Sequence, residues 1–432
     1  MDSPTSGGEG DSTTRIAAQS SVVDSFKGCG FTGIKIDKDE LRKQLRMPQY
    51  LRYAMRDSIR LQDPGAGETW LPGARSISGS SVVPEINDGP PESPMVVFIN
   101  PRSGGRHGPL LKERLQMLIS EEQVFDLTDV KPHEFVRYGL RCLELLAGLG
   151  DACAKEIREK MRVMVAGGDG TVGWVLGCLL DLEKSGRLPV PPVGIIPLGT
   201  GNDLSRTFGW GGSFPFAWNW HVTLATPSTK IVKLPHCMKP TEVHALDESL
   251  EIEESLPEKA YFHEGVFYNY FSIGMDAQVA YGFHQLRDEK PYLAQGPISN
   301  KLIYSGYSCS QGWFFTPCIS DPSLRGLKHI LRMHVKKVNC SDWEEVLIPS
   351  SVRSLVALNL NNYGSGRHPW GNLTPEYMER AAAIRFELRG GEWKHAFLQM
   401  DGEPWKQPMS RECLTYVEIK RVPSQSLMIN GE

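Results

Sequence analysis

The sequence predicts an α/β N-terminal domain, a parallel sheet carrying three glycine loops, followed by a β-rich C-terminal domain. Two observations carry this. Three apolar strands, Pro94–Ile99, Arg162–Ala166 and Pro192–Ile196, each run into a glycine-containing loop, and two of the loops lead into residues with clear helical spacing. After about residue 228 the texture changes to short β-prone runs. With 432 residues the chain has ample core for about two or three domains.

Taken in order, residues 1–34 are rich in Ser, Thr and Gly and are expected to be a mobile N-terminus. Residues 35–61 differ. Leu51, Met55 and Ile59 recur at i, i+4 and i+8 with Arg52, Arg56 and Arg60 on the next stripe, and eight basic residues face four acidic ones between Lys35 and Arg60. That pattern suits a basic amphipathic arm on an anionic membrane surface, or a helix packed on the core with solvated arginines. Residues 62–93, full of Pro, Gly and Ser, read as a linker. The α/β domain then occupies 94–227. Leu110, Leu111, Leu115 and Leu118 mark a helix after the first strand, Asp129–Leu149 and Ala152–Lys160 read as helices, and a further helix runs through Leu182.

The β-rich domain spans 228–422, with strands expected at Ile231–Leu234, Val266–Ile273, Ile330–Val338, Val352–Leu360, Ile384–Leu388, Ala396–Met400 and Thr415–Ile419. Glu242–Glu258 carries seven acids and no Lys or Arg, as a solvated insert would, and 423–432 reads as a tail.

Composition narrows the function. A net charge of −4 argues against nucleic-acid binding, which shows a basic surplus. Nine Cys, an odd number without a C-x-x-C pair, read as reduced thiols with no structural zinc. The polar start lacks a secretory signal, and the longest uncharged stretch, Ile303–Ser320, is broken by Ser, Gly, Gln and Pro. Any membrane contact is therefore expected to be peripheral.

The chemistry sits in the loops. Asn100–Gly105, Gly167–Thr171 and Gly199–Asp203 follow strands directly and converge on one edge of a parallel sheet. Small residues and helix N-termini let phosphates approach the backbone, with hydroxyls from Ser103, Thr171 and Thr200 and the charge of Arg102. Asp169 places a carboxylate beside that phosphate site, where a cation or a proton in transit is needed. Asn202 and Asp203 suit either the site or a helix cap. Near the end, Asp401-Gly402-Glu403 is either a hairpin turn or a general base with a metal-holding partner for phosphoryl transfer to an alcohol. Tyr270–Ala277 is a further lining segment, or a plain strand leading into a helix.

Together, Asn-Pro-x-Ser-Gly-Gly, Gly-Gly-Asp-Gly-Thr, Pro-Leu-Gly-Thr-Gly-Asn-Asp, Tyr-Phe-Ser-Ile-Gly-x-Asp-Ala and Asp-Gly-Glu-Pro-Trp resemble a eukaryotic diacylglycerol kinase over about residues 94–422. The Gly-Gly-Asp-Gly loop alone is shared with NAD kinases, phosphofructokinases and sphingoid kinases. The stretch from Gln44 to Arg56, without zinc-finger lipid modules, resembles the short plant enzymes.

The resemblance implies a two-domain lipid-kinase architecture and ATP-dependent phosphorylation of diacylglycerol to phosphatidic acid. It also implies Mg²⁺ and a cytoplasmic enzyme that visits membranes. ATP would be held by Asn100, Arg102, Ser103, Gly104, Gly167, Gly168, Gly170, Thr171, Gly199, Thr200, Gly201, Asn202 and Asp203. Asp169 and Asp401 would be catalytic, Asp401 as base, and Glu403 metal-linked. Two departures stand out: Arg102 replaces a frequent Lys, and the joint between Leu373–Met378 and Ala381–Phe386 is much shorter than usual. A sphingoid or ceramide kinase, and a truncated isoform that binds nucleotide without turnover, are the alternatives.

Overall fold

The computed structural model describes residues 38–71, 89–103, 107–214, 231–239, 265–290, 292–293, 297–310, 326–338, 340–369, 381–390, 393–411 and 414–431. The N-terminal 1–34, the acidic stretch 242–258, Gly104 and the short joint before Ala381 lie outside the described residues.

Two helices come first, α1 (Lys38–Leu45) and α2 (Gln49–Leu61), then a 3-10 turn over Pro64–Trp70. The apolar stripe of α2 is covered by protein. Leu51, Ala54, Met55 and Ile59 belong to the same buried cluster as Phe98, Phe135, Leu140 and Leu143. Arg52 is also inside, 4% exposed, donating from Nε to Met47 O at 3.0 Å and pairing with Glu122 at 2.7 Å. Only Arg56 and Arg60 of that stripe are exposed.

Of the two readings of residues 35–61, a membrane arm and a helix packed on the core, the described residues form packed helices, with Arg52 buried rather than solvated. The physical reason is burial. Each fully buried Leu, Ile or Met contributes about 1.5–3 kcal/mol, so lifting α2 onto lipid would forfeit several kcal/mol and strand Glu122. The expected linker also begins as structure: Asp63 accepts from Gly65 N at 2.9 Å, and Trp70 Nε1 donates to Asp57 at 2.8 Å.

The α/β part follows as β1 (Met95–Ile99), α3 (His107–Ile119), β2 (Val124–Asp126), a helical run over 132–148 with a π turn at Phe135–Gly139 that ends in α4 (Leu140–Gly148), α5 (Ala152–Lys160), β3 (Arg162–Gly167), α6 (Asp169–Lys184), β4 (Val193–Pro197) and α7 (Asp203–Thr207). The strands stand in the order β2-β1-β3-β4, all parallel. Every residue of β1 and β4 is buried, as strands covered on both faces require.

The β-rich part contains β5 (Ile231–Lys239), β6 (Gly265–Phe267), β7 (Tyr270–Gly274), α8 (Met275–Glu289), α9 (Pro297–Ser310), β8 (Leu331–Lys337), β9 (Trp343–Val346), β10 (Ser354–Leu358), β11 (Ala381–Arg389), β12 (His395–Met400), β13 (Glu403–Pro408) and β14 (Leu414–Ile429). An antiparallel sheet β10-β7-β12-β13 packs on the β14-β11-β8-β9 layer. Their shared core includes Phe271, Ile273, Leu398, Phe386 and Val417, and the rings of Phe271 and Phe386 stack at 6.2 Å. β11 is paired on both sides, by β8 and β14, just after the short joint.

Strand β14 changes the expected end of the chain. It pairs β11 through Leu414–Lys420 and β5 through its second half, Lys420 to Ile429, and Met428 stands parallel to Val193 of β4, so one ten-stranded sheet runs through both parts. Residues 423–429 are therefore strand, which corrects the tail expected at 423–432. Met428 and Ile429 are buried, and Trp210 Nε1 donates to Ile429 O at 2.7 Å. Pro423 cannot donate to a ladder, and it falls where the register between β14 and β5 shifts, between Arg421 and Gln425.

Candidate active site

The parallel sheet brings the ends of β1, β3 and β4 to one edge, and the three glycine loops meet there. Gly168 and Gly199 are in backbone contact: a Cβ on Gly199 would stand 2.5 Å from the Gly168 Cα. Asn100 ties the first loop to the second by donating from Nδ2 to Thr171 Oγ1 at 2.9 Å, while its Oδ1 accepts from Arg102 N at 3.0 Å. The Ser103 amide donates to Asn100 O at 3.1 Å, and the Arg102 side chain is exposed.

Asn202 staples the third loop. Buried and at φ 57°, it accepts from Gly199 N at 2.9 Å and donates to Gly199 O and Gly212 O, each at 2.8 Å. Its side chain makes no capping bond to α7. Thr200 Oγ1 accepts from Asn300 Nδ2 of α9 at 3.2 Å, so the β-rich part reaches the loop directly.

Asp169 opens α6. Its carboxylate crosses to the third loop and accepts from the Asp203 and Leu204 amides at 2.9 and 3.0 Å. Burial, then the negative charges of Asp203 and Asp401, push this carboxyl up to about 7 against the pull of the two amides. The Asp203 carboxylate stays beside the third loop, its Oδ2 3.5 Å from where a Cβ on Gly201 would stand. It accepts from Ser365 N at 3.2 Å and Gly366 N at 2.6 Å, both in the β-rich part.

Asp401 and Gly402 form the two-residue turn between β12 and β13, with φ of 47° and 87° and Met400 opposite Glu403. Asp-Gly is the pair that such a tight hairpin favours. The hairpin-turn reading thus describes the backbone of this segment, and the same turn brings Asp401 and Glu403 beside α6. Asp401 Oδ1 accepts from Asn269 N and Tyr270 N at 2.8 and 2.9 Å, and Oδ2 accepts from Tyr268 N at 2.6 Å. Burial pushes the carboxyl up to about 6, opposed by these three amides. Each carboxylate oxygen carries two lone pairs, so Oδ2 keeps one to offer. That oxygen faces Gly173 of α6, whose Cβ, if it had one, would lie 3.9 Å away.

Glu403 is 79% exposed, and its Oε1 would lie 3.9 Å from a Cβ on Gly170. His284 Nδ1 stands 4.0 Å from Glu403 Oε2, but burial and Arg287 lower this imidazole to about 4, so it is neutral near pH 7.

Asp169 and Asp401 thus stand on opposite walls, joined across Gly170 and Gly173. No cluster of three or more His, Cys, Asp or Glu among the described residues is built to hold a metal alone. Mg²⁺, however, is usually held by one or two carboxylates together with substrate phosphates, and exposed Glu403 beside the Asp169 wall fits that donor set.

The Tyr268 and Asn269 amides, Gly173, Asn300 and the Ser365–Gly366 turn were not among the sequence candidates for the site. Gly173 alone left a trace, as a glycine inside a helix where alanine would be preferred. The segment Tyr270–Ala277 is a strand leading into a helix, β7 into α8, and it begins at the last of the amides that hold Asp401.

Residues 94–233 match the diacylglycerol kinase catalytic domain, and 266–387 match the diacylglycerol kinase accessory domain. Asp401 and Glu403 lie beyond the second match. The chain is 55% identical to Diacylglycerol kinase 7 and to Diacylglycerol kinase 3 of Arabidopsis thaliana, each over the full length of both proteins. It is 33% identical to Diacylglycerol kinase 1 of Oryza sativa subsp. japonica over 76% of this chain and 78% of the relative. The first of these alignments runs over 500 positions, more than the 432 residues here, so that relative carries residues that this chain lacks. The chain belongs to the diacylglycerol kinase family.

Proposed function

We propose that this chain phosphorylates diacylglycerol with Asp401 as the base and the Asp169 wall as the holder of ATP. As a diacylglycerol kinase it uses ATP and makes phosphatidic acid. The loops at Asn100–Ser103, Gly167–Thr171 and Gly199–Gly201 receive the triphosphate on backbone amides and on the N-terminus of α6. The acceptor hydroxyl sits between Asp401 Oδ2 and the γ-phosphorus. Its proton moves to Oδ2 as the new O–P bond forms, and the bond from γ-phosphorus to the β,γ-bridging oxygen breaks, leaving ADP. Mg²⁺, shared by Glu403 and Asp169 with the phosphates, would neutralise charge on the nucleotide.

The observation that carries this reading is the place of Asp401 Oδ2, 3.9 Å from where a Cβ on Gly173 of α6 would stand, on a carboxyl held near 6. A base with that proton affinity is ionised at pH 7 yet still able to take a proton. The amides of Tyr268, Asn269 and Tyr270 hold this acid in place at the tip of the β12–β13 hairpin, which supports turnover despite the short joint before β11.

No helix among the described residues is long and apolar enough to cross a membrane. The enzyme meets its lipid as a peripheral visitor from the cytoplasm, a reading supported by the free thiols of Cys142, Cys153, Cys178 and Cys340. Purified chain with ATP, Mg²⁺ and mixed micelles should convert diacylglycerol to phosphatidate and leave ceramide and sphingosine unphosphorylated. Preference for a sphingoid acceptor, or ATP binding with no product, would overturn the assignment.

A further inference from the structure

The acids on the two walls come from segments more than 200 residues apart, and neither touches the other. A run of hydrogen bonds, completed by one ring contact, nevertheless links them, and one side chain stands in its middle. On the ATP wall, α7 holds Asp169 through the Asp203 and Leu204 amides. Asp203 in turn is held by Ser365 N and Gly366 N. Those two amides are aimed by a tight loop closed between Tyr363 and Arg367, whose backbones exchange bonds of 2.9 and 3.0 Å. Positive φ at Gly364, Ser365 and Gly366 (60°, 74° and 85°) turns successive N–H groups the same way. Asn362 adds a second tie, from Nδ2 to Thr207 Oγ1 of α7 at 2.9 Å.

The same Tyr363 reaches the other wall. Its hydroxyl donates to Asp276 Oδ1 at 2.5 Å, and Asp276 Oδ2 accepts from Ser272 Oγ of β7 at 2.8 Å. Its ring packs edge-on against Tyr270, with centroids 5.1 Å apart and planes at 87°. Tyr270, with Asn269 and Tyr268, supplies the amides that hold Asp401. The backbone of Tyr363 therefore serves the Asp169 wall, while its side chain serves the Asp401 wall.

We propose that Tyr363, which touches neither acid, is a positioning residue that sets the spacing between the ATP wall and the base. The inference rests on Asp401 acting as the base. The β10–β7 ladder and the Asn359 bonds to Tyr268 O and Asn269 O keep each wall folded. Removing the hydroxyl frees Asp276 and loosens the fine setting of β7 against the 363–367 loop, so the acceptor oxygen loses its line to the phosphorus. The glycine loops that receive the triphosphate keep their own bonds, so ATP affinity is little changed.

The test uses the full chain with Tyr363→Phe, which keeps the ring on Tyr270, and Tyr363→Leu, which removes it. Phosphatidate formation in mixed micelles, ATP affinity by calorimetry and thermal melting are measured together. Misplacement by about 1 Å costs on the order of 100-fold, so kcat should fall about 10-fold in the Phe variant and about 100-fold in the Leu variant. KM and Kd for ATP should stay within about 2-fold, the signature of an interaction needed only at the transition state.

A Phe variant with wild-type kcat overturns the proposal. So does a loss of ATP affinity in step with kcat, which would mark general loosening. Asp401→Asn assayed beside them separates the two claims. If it is active, the base assignment fails; if it is inactive while Tyr363→Phe turns over normally, only the positioning role fails.

Discussion

Gly199→Ala is the sharpest steric probe of the glycine loops. The added methyl would stand 2.5 Å from the Gly168 Cα and 2.7 Å from Asn202 Oδ1. Carbon atoms pack best at about 3.5–4.0 Å, so the second and third loops must part by about 1 Å. The neighbour is backbone, which cannot rotate aside, and the Asn202 staple is pushed off at the same time. Overpacking of this kind costs about 1–3 kcal/mol of stability. In turnover, a 1 Å error costs on the order of 100-fold, equivalent to about 2.7 kcal/mol of barrier.

The mirror substitution supplies an internal scale. A Cβ on Gly168 would meet the Gly199 Cα at 3.1 Å, a much milder overlap, so Gly168→Ala should lose about 10-fold or less. Both variants are assayed for kcat, for ATP Kd by calorimetry and for melting temperature. Wild-type turnover and affinity in Gly199→Ala would refute the reasoning. So would Gly168→Ala proving the more damaging of the two.

Other outcomes follow from the same geometry. Asp401 must be ionised to act, so kcat should rise with pH through about 6 and level off above it, a limb read directly from a pH–rate profile. Asp169, held near 7, becomes neutral as pH falls and loses its hold on the cation, so Mg²⁺-dependent ATP binding should weaken from pH 8 to pH 6, by titration calorimetry. Both carboxyls bind protons more readily folded than in an unfolded chain, where Asp titrates near ~3.9. Their contribution to stability is therefore complete below about pH 4 and is lost as pH rises through about 6–7, a slope that Asp169→Asn should reduce in urea melts. Met55→Ala should destabilise the whole chain by about 2–5 kcal/mol in the same melts, because Met55 is fully buried in the main core; a change under about 0.5 kcal/mol would restore the detachable arm.

What the sequence could reveal divides along physical lines. β1, β3 and β4 were legible because strands buried on both faces are continuous apolar runs, and the loops that follow them inherit their positions. β9 (Trp-Glu-Glu-Val) and β13 (Glu-Pro-Trp-Lys-Gln-Pro) escaped notice because edge strands tolerate charge and proline. The amphipathic pattern of α2 showed that one face needed cover but not what covers it. Glu122, 70 residues downstream, decides that Arg52 turns inward.

The site divides in the same way. Asp169 and Asp401 were found from local motifs, whereas their settings depend on distant backbone. Asp401 is held by amides at 268–270, and Asp203 by amides at 365 and 366. Backbone amides carry no sequence signature, so no pattern along the chain could have announced these contacts.

The central claim is that Asp401, poised across Gly173 from the Asp169 wall, takes the proton of the acceptor hydroxyl. The most direct measurement compares wild-type chain with Asp401→Asn, following phosphatidate formed from ATP and diacylglycerol in mixed micelles alongside ATP affinity. Loss of a general base costs about 100- to 10,000-fold, so turnover should fall into that range while ATP Kd stays within about 2-fold. Turnover by Asp401→Asn within about threefold of wild type would contradict the account, since the general-base contribution it assigns to this acid is far larger.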